Sequence, residues 1–129
     1  MPGDTDLARM LSGLDVERRP GSYTFVSGEW SVLRPSAHAM IKEAEGTTLV
    51  VDVDHARAHG APVEFEAAWL TLMVFSSLDA VGLTAAVSAA LADDGIACNV
   101  LAAYHHDHLL VPVEQADRAI ELLERLRAS

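Results

Sequence analysis

The clearest pattern in this chain is a change of hydrophobic period in its second half. Apolar residues run almost continuously from Trp69 to Phe75, which predicts a buried strand. Apolar residues then recur with helical spacing at Leu83, Val87 and Leu91, which predicts a helix with a buried stripe. In order, the second half predicts a strand over 65–75, a helix ending at 93–95, strands over 96–104 and 109–113, and a last helix after Pro112.

The first half predicts a similar series of elements from weaker patterns. A short helix begins after a cap at Thr5 or Asp6 and stops at Gly13. The hairpin signal is clearest at Glu45-Gly46, between two apolar runs. The other predicted elements are a strand over 14–18, a turn at Pro20-Gly21, a strand over 23–26, a loop over 27–36, and a helical stub over 54–58 that Asp54 caps and Gly60 ends.

An internal repeat relates the two halves. When residues 39–56 are moved forward by sixty positions, they align with residues 99–116 without a gap, and Leu49 falls on Leu109. The first half contains no counterpart of the helix that starts at Leu83. We therefore predict two copies of one strand-helix-strand-strand-helix unit, the first of which has lost most of its first helix.

The repeat also sets the expected domain organisation. We expect a degenerate first unit over residues 1–62 and a second unit over residues 63–129, folding together as one unit. Because the sequence ends at Ser129, soon after the predicted last helix, we expect the second copy to have no closing strand of its own. We expect the spare strand at Leu14–Arg18 to complete or extend the sheet of the second copy.

A candidate binding loop, Ser76-Ser77-Leu78-Asp79-Ala80-Val81-Gly82, joins the strand to the helix of the second copy. The first N–H groups of a helix lack intrahelical partners, and the positive end of its dipole attracts anions. Asp79 is suited either to cap the helix or to accept a hydrogen bond from a ligand ammonium group. Gly82 either admits a ligand close to the backbone or allows tight helix–strand packing.

Composition narrows the classes of partner. The chain has 129 residues, half of them hydrophobic, and its net charge of −10 comes from 9 basic and 19 acidic residues. Basic residues cluster only at Arg18-Arg19, so we expect no nucleic-acid or anionic membrane partner. The apolar runs are too short to span a bilayer, and the N-terminus shows no apolar signal region, so we expect a cytoplasmic protein. Cys98 is a single cysteine in an apolar pattern, which favours a core position.

Two further features, a histidine-rich segment and Trp30, are interpreted as structural. His105-His106-Asp107-His108 looks like a metal cluster, but the repeat aligns it with the hairpin turn at 45–48, so we expect a turn and no metal. Trp30 either fills the space left by the lost helix or forms part of the wall of a ligand pocket, and we favour packing in the core or at an interface. The chain has no Gly-rich phosphate loop, nucleophile motif or paired carboxylates with a base, so we expect neither catalysis nor a cofactor.

Three stretches resemble the ACT domain, a βαββαβ ferredoxin-like module: Phe75 to Thr84, Asp107 to Pro112, and Ala39 to Val50. Nearly the whole chain is similar to a small bacterial tandem-ACT family, which resembles the regulatory part of aspartate kinases and cytosolic arginine-sensor proteins. The resemblance implies an α+β fold of two ferredoxin-like units in tandem, the first degenerate. The sheets would be antiparallel, with the helices on one face.

The same resemblance implies a function. We expect a non-catalytic regulatory module that binds an amino acid or similar small metabolite at a domain or subunit interface, in a homodimer. The ligand carboxylate would meet N–H groups near Ala80 to Leu83, and Asp79 would take the ammonium group. The expected ligand-binding residues are Ser76, Ser77, Leu78, Asp79, Ala80, Val81, Gly82, Leu83 and, from the neighbouring strand, Asn99, although a cross-strand or solvent-facing amide is the favoured reading of Asn99. The alternatives are a structural or protein-interaction module without a ligand and, less favoured, a small enzyme.

Overall fold

The computed structural model of the chain describes residues 6–74 and 78–128. Within these ranges it contains six strands and four α-helices, which confirms the predicted α+β class. In chain order the elements are α1 (Leu7–Ser12), β1 (Val16–Ser27), β2 (Ala39–Glu43), β3 (Gly46–Asp52), α2 (Val53–Ala58), β4 (Ala67–Leu72), α3 (Leu83–Asp93), β5 (Asn99–Ala102), β6 (Asp107–Pro112) and α4 (Ala116–Ala128). Short 3-10 helices cover Arg34–Ser36 and Val113–Gln115.

The chain divides into two compact units. The larger unit contains the residues up to Arg19 and those from Ala68 onward, and the smaller unit is Pro20–Ala67. The division cuts β1 between Arg19 and Pro20. These units differ in extent from the two sequence repeats, because the N-terminal segment groups with the second repeat. That residues 1–62 and 63–129 are the domains stays a prediction.

The larger unit has the strand order β1-β4-β6-β5, with the core between one face of these strands and helices α1, α3 and α4. The backbone N–H of Met73 donates to the carbonyl of Asp15 at 2.7 Å, just before β1 begins. The prediction that the N-terminal strand extends the sheet of the second repeat is therefore confirmed. The largest fully buried side chains of this core are Met10, Leu14, Leu70, Leu72, Leu91, Leu109 and Leu123.

Helix α3 forms where an Ala-rich stretch carries one apolar stripe. Leu83, Val87 and Leu91 lie four residues apart and are all buried, as the sequence predicts. The helix ends at Asp93, and Gly95 follows with φ +73, a backbone conformation that L side chains rarely adopt. The stripe therefore fixes which side of α3 faces the sheet, and with it where the start of α3 lies.

The smaller unit has the strand order β2-β3-β1, all antiparallel. The β2–β3 hairpin closes at Glu43 and Gly46 and pairs Ala39 with Val50, Met40 with Leu49 and Ile41 with Thr48. The β5–β6 hairpin pairs Asn99 with Leu110, Val100 with Leu109 and Leu101 with His108. Both residues of each β5–β6 pair lie sixty positions beyond the residues of the corresponding β2–β3 pair. The repeat detected in the sequence is therefore present in the strand register.

The first helix of the first repeat is reduced to the 3-10 turn Arg34–Ser36, as predicted. Trp30 lies in the loop before this turn and packs against the smaller core, which includes Val26, Leu33 and Leu49. Its indole N–H donates to the carbonyl of Ser27 at 3.1 Å, which satisfies its one donor. The interpretation of Trp30 as a packing residue is therefore confirmed.

Several local predictions are wrong. The predicted turn at Pro20-Gly21 lies inside the continuous strand β1, where Gly21 with φ +87 lets the strand pass through a local irregularity. Asp54 does not cap α2, because it lies in the first helical turn and Asp52 takes the N-cap position. The predicted turn at 105–108 is shorter, since β6 already begins at Asp107. Tertiary pairing decides each of these boundaries over local propensity.

In the described ranges the structure contains no helix that is long and apolar enough to span a bilayer.

Candidate functional site

A small cavity of about 140 Å³ lies in the larger unit, between the start of α3 and the β5–β6 hairpin. Of the seven predicted ligand residues that the structure describes, four line it, namely Leu78, Ala80, Gly82 and Leu83. The other described residues of its wall are Thr84 from α3, Ala102 and Ala103 from the hairpin, and Asp107 from β6. Part of the predicted loop therefore lines the cavity. The residues from the β5–β6 hairpin that line it with the loop were not predicted from the sequence.

The start of α3 differs from its predicted form. Gly82, with φ +104, occupies the N-cap position and has no side chain with which to cap the helix. Asp79 is not the N-cap residue that the sequence predicted, because Gly82 takes this position and the helix begins at Leu83. The first N–H groups of an α-helix have no intrahelical partner. This helix end therefore directs backbone N–H donors toward the cavity side of Gly82 without a cap from the N-cap residue itself.

Gly82 also allows a close contact within the larger unit. A Cβ atom built on Gly82 would lie 3.0 Å from Cδ2 of Leu7 in α1. The positive φ and this contact together explain why glycine is required. Gly82 is therefore closely packed, but against helix α1 and not against a strand as predicted, while close approach of a ligand stays a prediction.

Asp107 is the charged residue of the cavity wall. It is paired with Ala102 across the β5–β6 ladder, and it shares a strand face with the buried Leu109. Burial raises the pKa of the Asp107 carboxyl above its ordinary value, although His108 and His106 act in the opposite direction. A carboxylate that loses hydration in this way gains from a cationic partner.

The remaining predicted residues are placed differently. Ser76 and Ser77 lie outside the described residues. Asp79 and Val81 are exposed, and neither is among the described residues of the cavity wall. Asn99 is also absent from that wall, and its side-chain amide donates to the carbonyl of Leu110 at 3.4 Å. Asn99 therefore has the cross-strand role that the sequence favoured.

The sequence contained a signal for the missed residues. Moved back by sixty positions, Ala102, Ala103 and Asp107 correspond to Lys42, Glu43 and Thr47. The second copy thus has two small residues where the first has two long charged ones, and an acid where the first has a hydroxyl. This difference between the copies leaves room in the second hairpin and adds a charge to it.

A polar cluster lies on the opposite face of the same strands. Trp69 and Thr71 alternate with the core residues of β4, and His108 alternates with Leu109 in β6. The indole N–H of Trp69 donates to Nδ1 of His108 at 3.1 Å, and Oγ1 of Thr71 lies 2.9 Å from the same nitrogen. The guanidinium of Arg19 lies 4.0 Å from the centroid of the Trp69 ring. Because Trp69 and Thr71 both contact Nδ1 of His108 within hydrogen-bond distance, we interpret this cluster as structural.

The histidine-rich turn does not assemble a metal site. Within the described ranges, no three His, Cys, Asp or Glu side chains are grouped so that they could hold a metal ion. The rings of His106 and His108 lie 6.4 Å apart, centroid to centroid, and His108 is already engaged by Trp69.

Residues 64–125 match the ACT domain, and residues 2–68 match an ACT domain as well. The chain belongs to the ACT-domain family. Both halves of the tandem repeat are therefore ACT units of the ferredoxin-like type, as the sequence predicted, and the first is the degenerate one.

Solved structures agree with the tandem ACT assignment. A Vibrio cholerae protein of unknown function, titled a possible transport protein, is 35% identical, with a TM-score of 0.84 over 94% of this chain and 95% of that one. A protein from Agrobacterium tumefaciens is 17% identical, with a TM-score of 0.64 over 88% and 89%. The ligand-free regulatory subunit of aspartate kinase from Thermus thermophilus is 11% identical, with a TM-score of 0.63 over 86% and 95%. No curated protein matches the sequence.

Proposed function

We propose that this chain is a non-catalytic regulatory module that binds an amino acid in the cavity between the start of α3 and the β5–β6 hairpin. One observation carries the proposal: the N-terminus of α3, whose N-cap Gly82 has no side chain, and the half-buried Asp107 line the same cavity. The helix end favours a carboxylate, and Asp107 favours an ammonium group. A free amino acid carries both groups on one carbon.

The rest of the wall suits a compact ligand. Leu78, Ala80, Leu83, Ala102 and Ala103 present apolar surface to the cavity. Its volume of about 140 Å³ favours a small metabolite over a nucleotide or a peptide. A short aliphatic side chain would bury its surface against these residues without leaving a polar group unpaired.

This proposal changes one role that the sequence suggested. The backbone from Ala80 to Leu83 remains the partner of the ligand carboxylate. The proposed partner of the ligand ammonium group is Asp107 and no longer Asp79, because Asp107 is the carboxyl group among the described residues of the cavity wall. Contacts from Ser76 and Ser77 remain predictions.

A second copy of the chain is proposed to cover the mouth of the cavity. The side chains of Leu78 and Val81 are 69% and 82% exposed, and Tyr104 in the hairpin turn is 67% exposed. Exposed apolar side chains grouped around a pocket are typical of interaction surfaces. The same observation favours the alternative function, a protein-interaction module without a ligand. A cytoplasmic location stays a prediction.

Thermal unfolding of the full chain with each of the twenty amino acids tests the proposal. A ligand that binds only the folded state stabilises it by about 2.7 kcal/mol at one hundred times its Kd, so a subset of amino acids should raise the Tm in a saturable way. Asp107→Asn should remove this rise, and the control Asp93→Asn, at the far end of α3, should retain it. If no amino acid raises the Tm while sedimentation shows a dimer, the interaction module is the better conclusion.

A further inference from the structure

A second cavity lies in the smaller unit, at the end of β1. Its volume is about 320 Å³, and its wall includes Phe25, Ser27, Thr48, Pro62, Glu64 and Phe65. Cavities of a few hundred cubic ångströms are typical of small-molecule sites. Volume alone gives no ligand class, so the chemistry of the wall has to decide it.

Two stacked phenyl rings form one side of this cavity. The rings of Phe25 and Phe65 have centroids 6.4 Å apart, with their planes 25° from parallel. Both side chains are only half-buried, so part of their ring surface remains open. Aromatic faces carry partial negative charge and bind either flat apolar groups or cations.

The polar part of the wall is acidic. Among the described residues, Glu64 has no hydrogen-bond or ion-pair partner, and the hydroxyl of Ser27 has no hydrogen-bond partner. Thr48 donates its hydroxyl to the carboxylate of Glu43, which places a second acid next to the cavity. No described Lys or Arg side chain lines it. The wall therefore combines negative charge with aromatic surface.

The cavity is not the first repeat's copy of the proposed amino-acid pocket. Asp107 of that pocket corresponds to Thr47 in the first repeat, whereas Thr48 corresponds to His108. Successive strand residues point to opposite faces, so Thr48 and Thr47 face opposite sides of the hairpin. The cavity is thus a separate feature of the smaller unit.

We propose that this cavity binds a small organic cation with a flat apolar body, whose cationic group lies near Glu64 and whose body lies against the rings of Phe25 and Phe65. The hydroxyl of Ser27 is placed to accept a hydrogen bond from an ammonium N–H. A neutral analogue lacks the electrostatic attraction between the cationic group and Glu64, and an anion is repelled by Glu64 and Glu43.

Titration of the full chain with benzylammonium, followed by amide chemical shifts, tests this inference. Saturable shifts should be confined to Ser27, Thr48, Phe65 and their neighbours. Benzyl alcohol, the neutral analogue, should bind about fivefold more weakly because it lacks the charge. Glu64→Gln should weaken benzylammonium by a similar factor, while the control Glu45→Gln, in the exposed hairpin turn, should not.

Three results overturn the proposal: no saturable shift, equal binding of benzyl alcohol, or unchanged affinity in Glu64→Gln. Shifts centred on Leu83 and Ala102 would also overturn it, because benzylammonium would then occupy the other cavity. Phe65→Leu provides a second variant that keeps apolar volume and removes the ring face, and it should weaken binding with Glu64 intact. Circular dichroism on each variant confirms that the fold is retained.

Discussion

Trp69 donates its indole N–H to Nδ1 of His108 at 3.1 Å, on the face of the larger unit that the helices do not cover. An indole N–H can only donate, so Nδ1 must be the unprotonated nitrogen of this ring. Thr71 places Oγ1 2.9 Å from the same Nδ1, and its hydroxyl can also donate to it. The structure therefore holds His108 as a neutral imidazole with its proton on Nε2.

The protonation of His108 gives the first prediction. Burial, followed by the charges of Arg19 and His106, lowers the pKa of His108 below its ordinary 6.5. The unfolded chain then binds more protons than the native state as the pH drops below 6.5, so the stability that His108 contributes is present above this pH and declines below it. Imidazole NMR should show the Nε2–H form and a titration midpoint below 6.5.

Urea unfolding between pH 8 and pH 5 measures the consequence. The wild type should lose more stability over this interval than His108→Gln, and the exposed control His59→Gln should behave like the wild type. A proton on Nδ1 of His108, or a midpoint above 6.5, would contradict the assignment.

Two buried threonines provide the second prediction. Thr71 is 8% exposed and lies within hydrogen-bond distance of His108, whereas Oγ1 of Thr24 is buried with no hydrogen-bond partner among the described residues. Thr71→Val should therefore lower the free energy of unfolding by about 1 kcal/mol, since it removes a donor from a buried acceptor. Thr24→Val should be neutral or stabilising, because it removes an unpaired hydroxyl from the core. Equal costs for both substitutions would show that the His108 contact contributes nothing.

The glycines that flank α3 provide the third prediction. Gly82 and Gly95 both have positive φ, +104 and +73, but a new Cβ meets Leu7 at 3.0 Å at Gly82 and nothing within 4 Å at Gly95. Gly95→Ala should cost about 1 kcal/mol of stability from backbone strain alone. Gly82→Ala should cost more, about 2 kcal/mol, because the side chain of Leu7 must also give way. Chemical denaturation of both variants measures this order, and a smaller cost at Gly82 would contradict the close contact with Leu7.

Asp107 provides the fourth prediction, which separates a binding residue from a structural one. Burial raises the pKa of its carboxyl above the ordinary 3.8. An acid whose pKa is raised by folding lowers stability at pH values above its folded pKa, so Asp107→Asn should stabilise the ligand-free protein at pH 7. This gain should disappear below about pH 4, where the wild-type carboxyl is protonated in both states. Destabilisation of the ligand-free protein by Asp107→Asn would instead assign Asp107 a structural role.

Part of the candidate site was predictable and part was not. The loop from Leu78 to Gly82 follows from a strand that ends in polar residues before a helix, which is a local pattern. Asp107 was missed because it was interpreted as one residue of a histidine-rich turn. Its role depends on pairing with Ala102 and on the position of α3, and both are long-range relations.

The sequence by itself determined the elements and the repeat of this ACT protein. Hydrophobic period reports which face of a segment is buried, and the offset of sixty reappears as identical register in the β2–β3 and β5–β6 hairpins. The tertiary structure alone decided that β1 continues through Pro20-Gly21, that Gly82 rather than Asp79 takes the N-cap of α3, and that Asp107 faces the cavity while His108 faces Trp69. The reason is physical: local patterns fix periodicity, whereas the neighbours of a side chain depend on which distant strands and helices pack together.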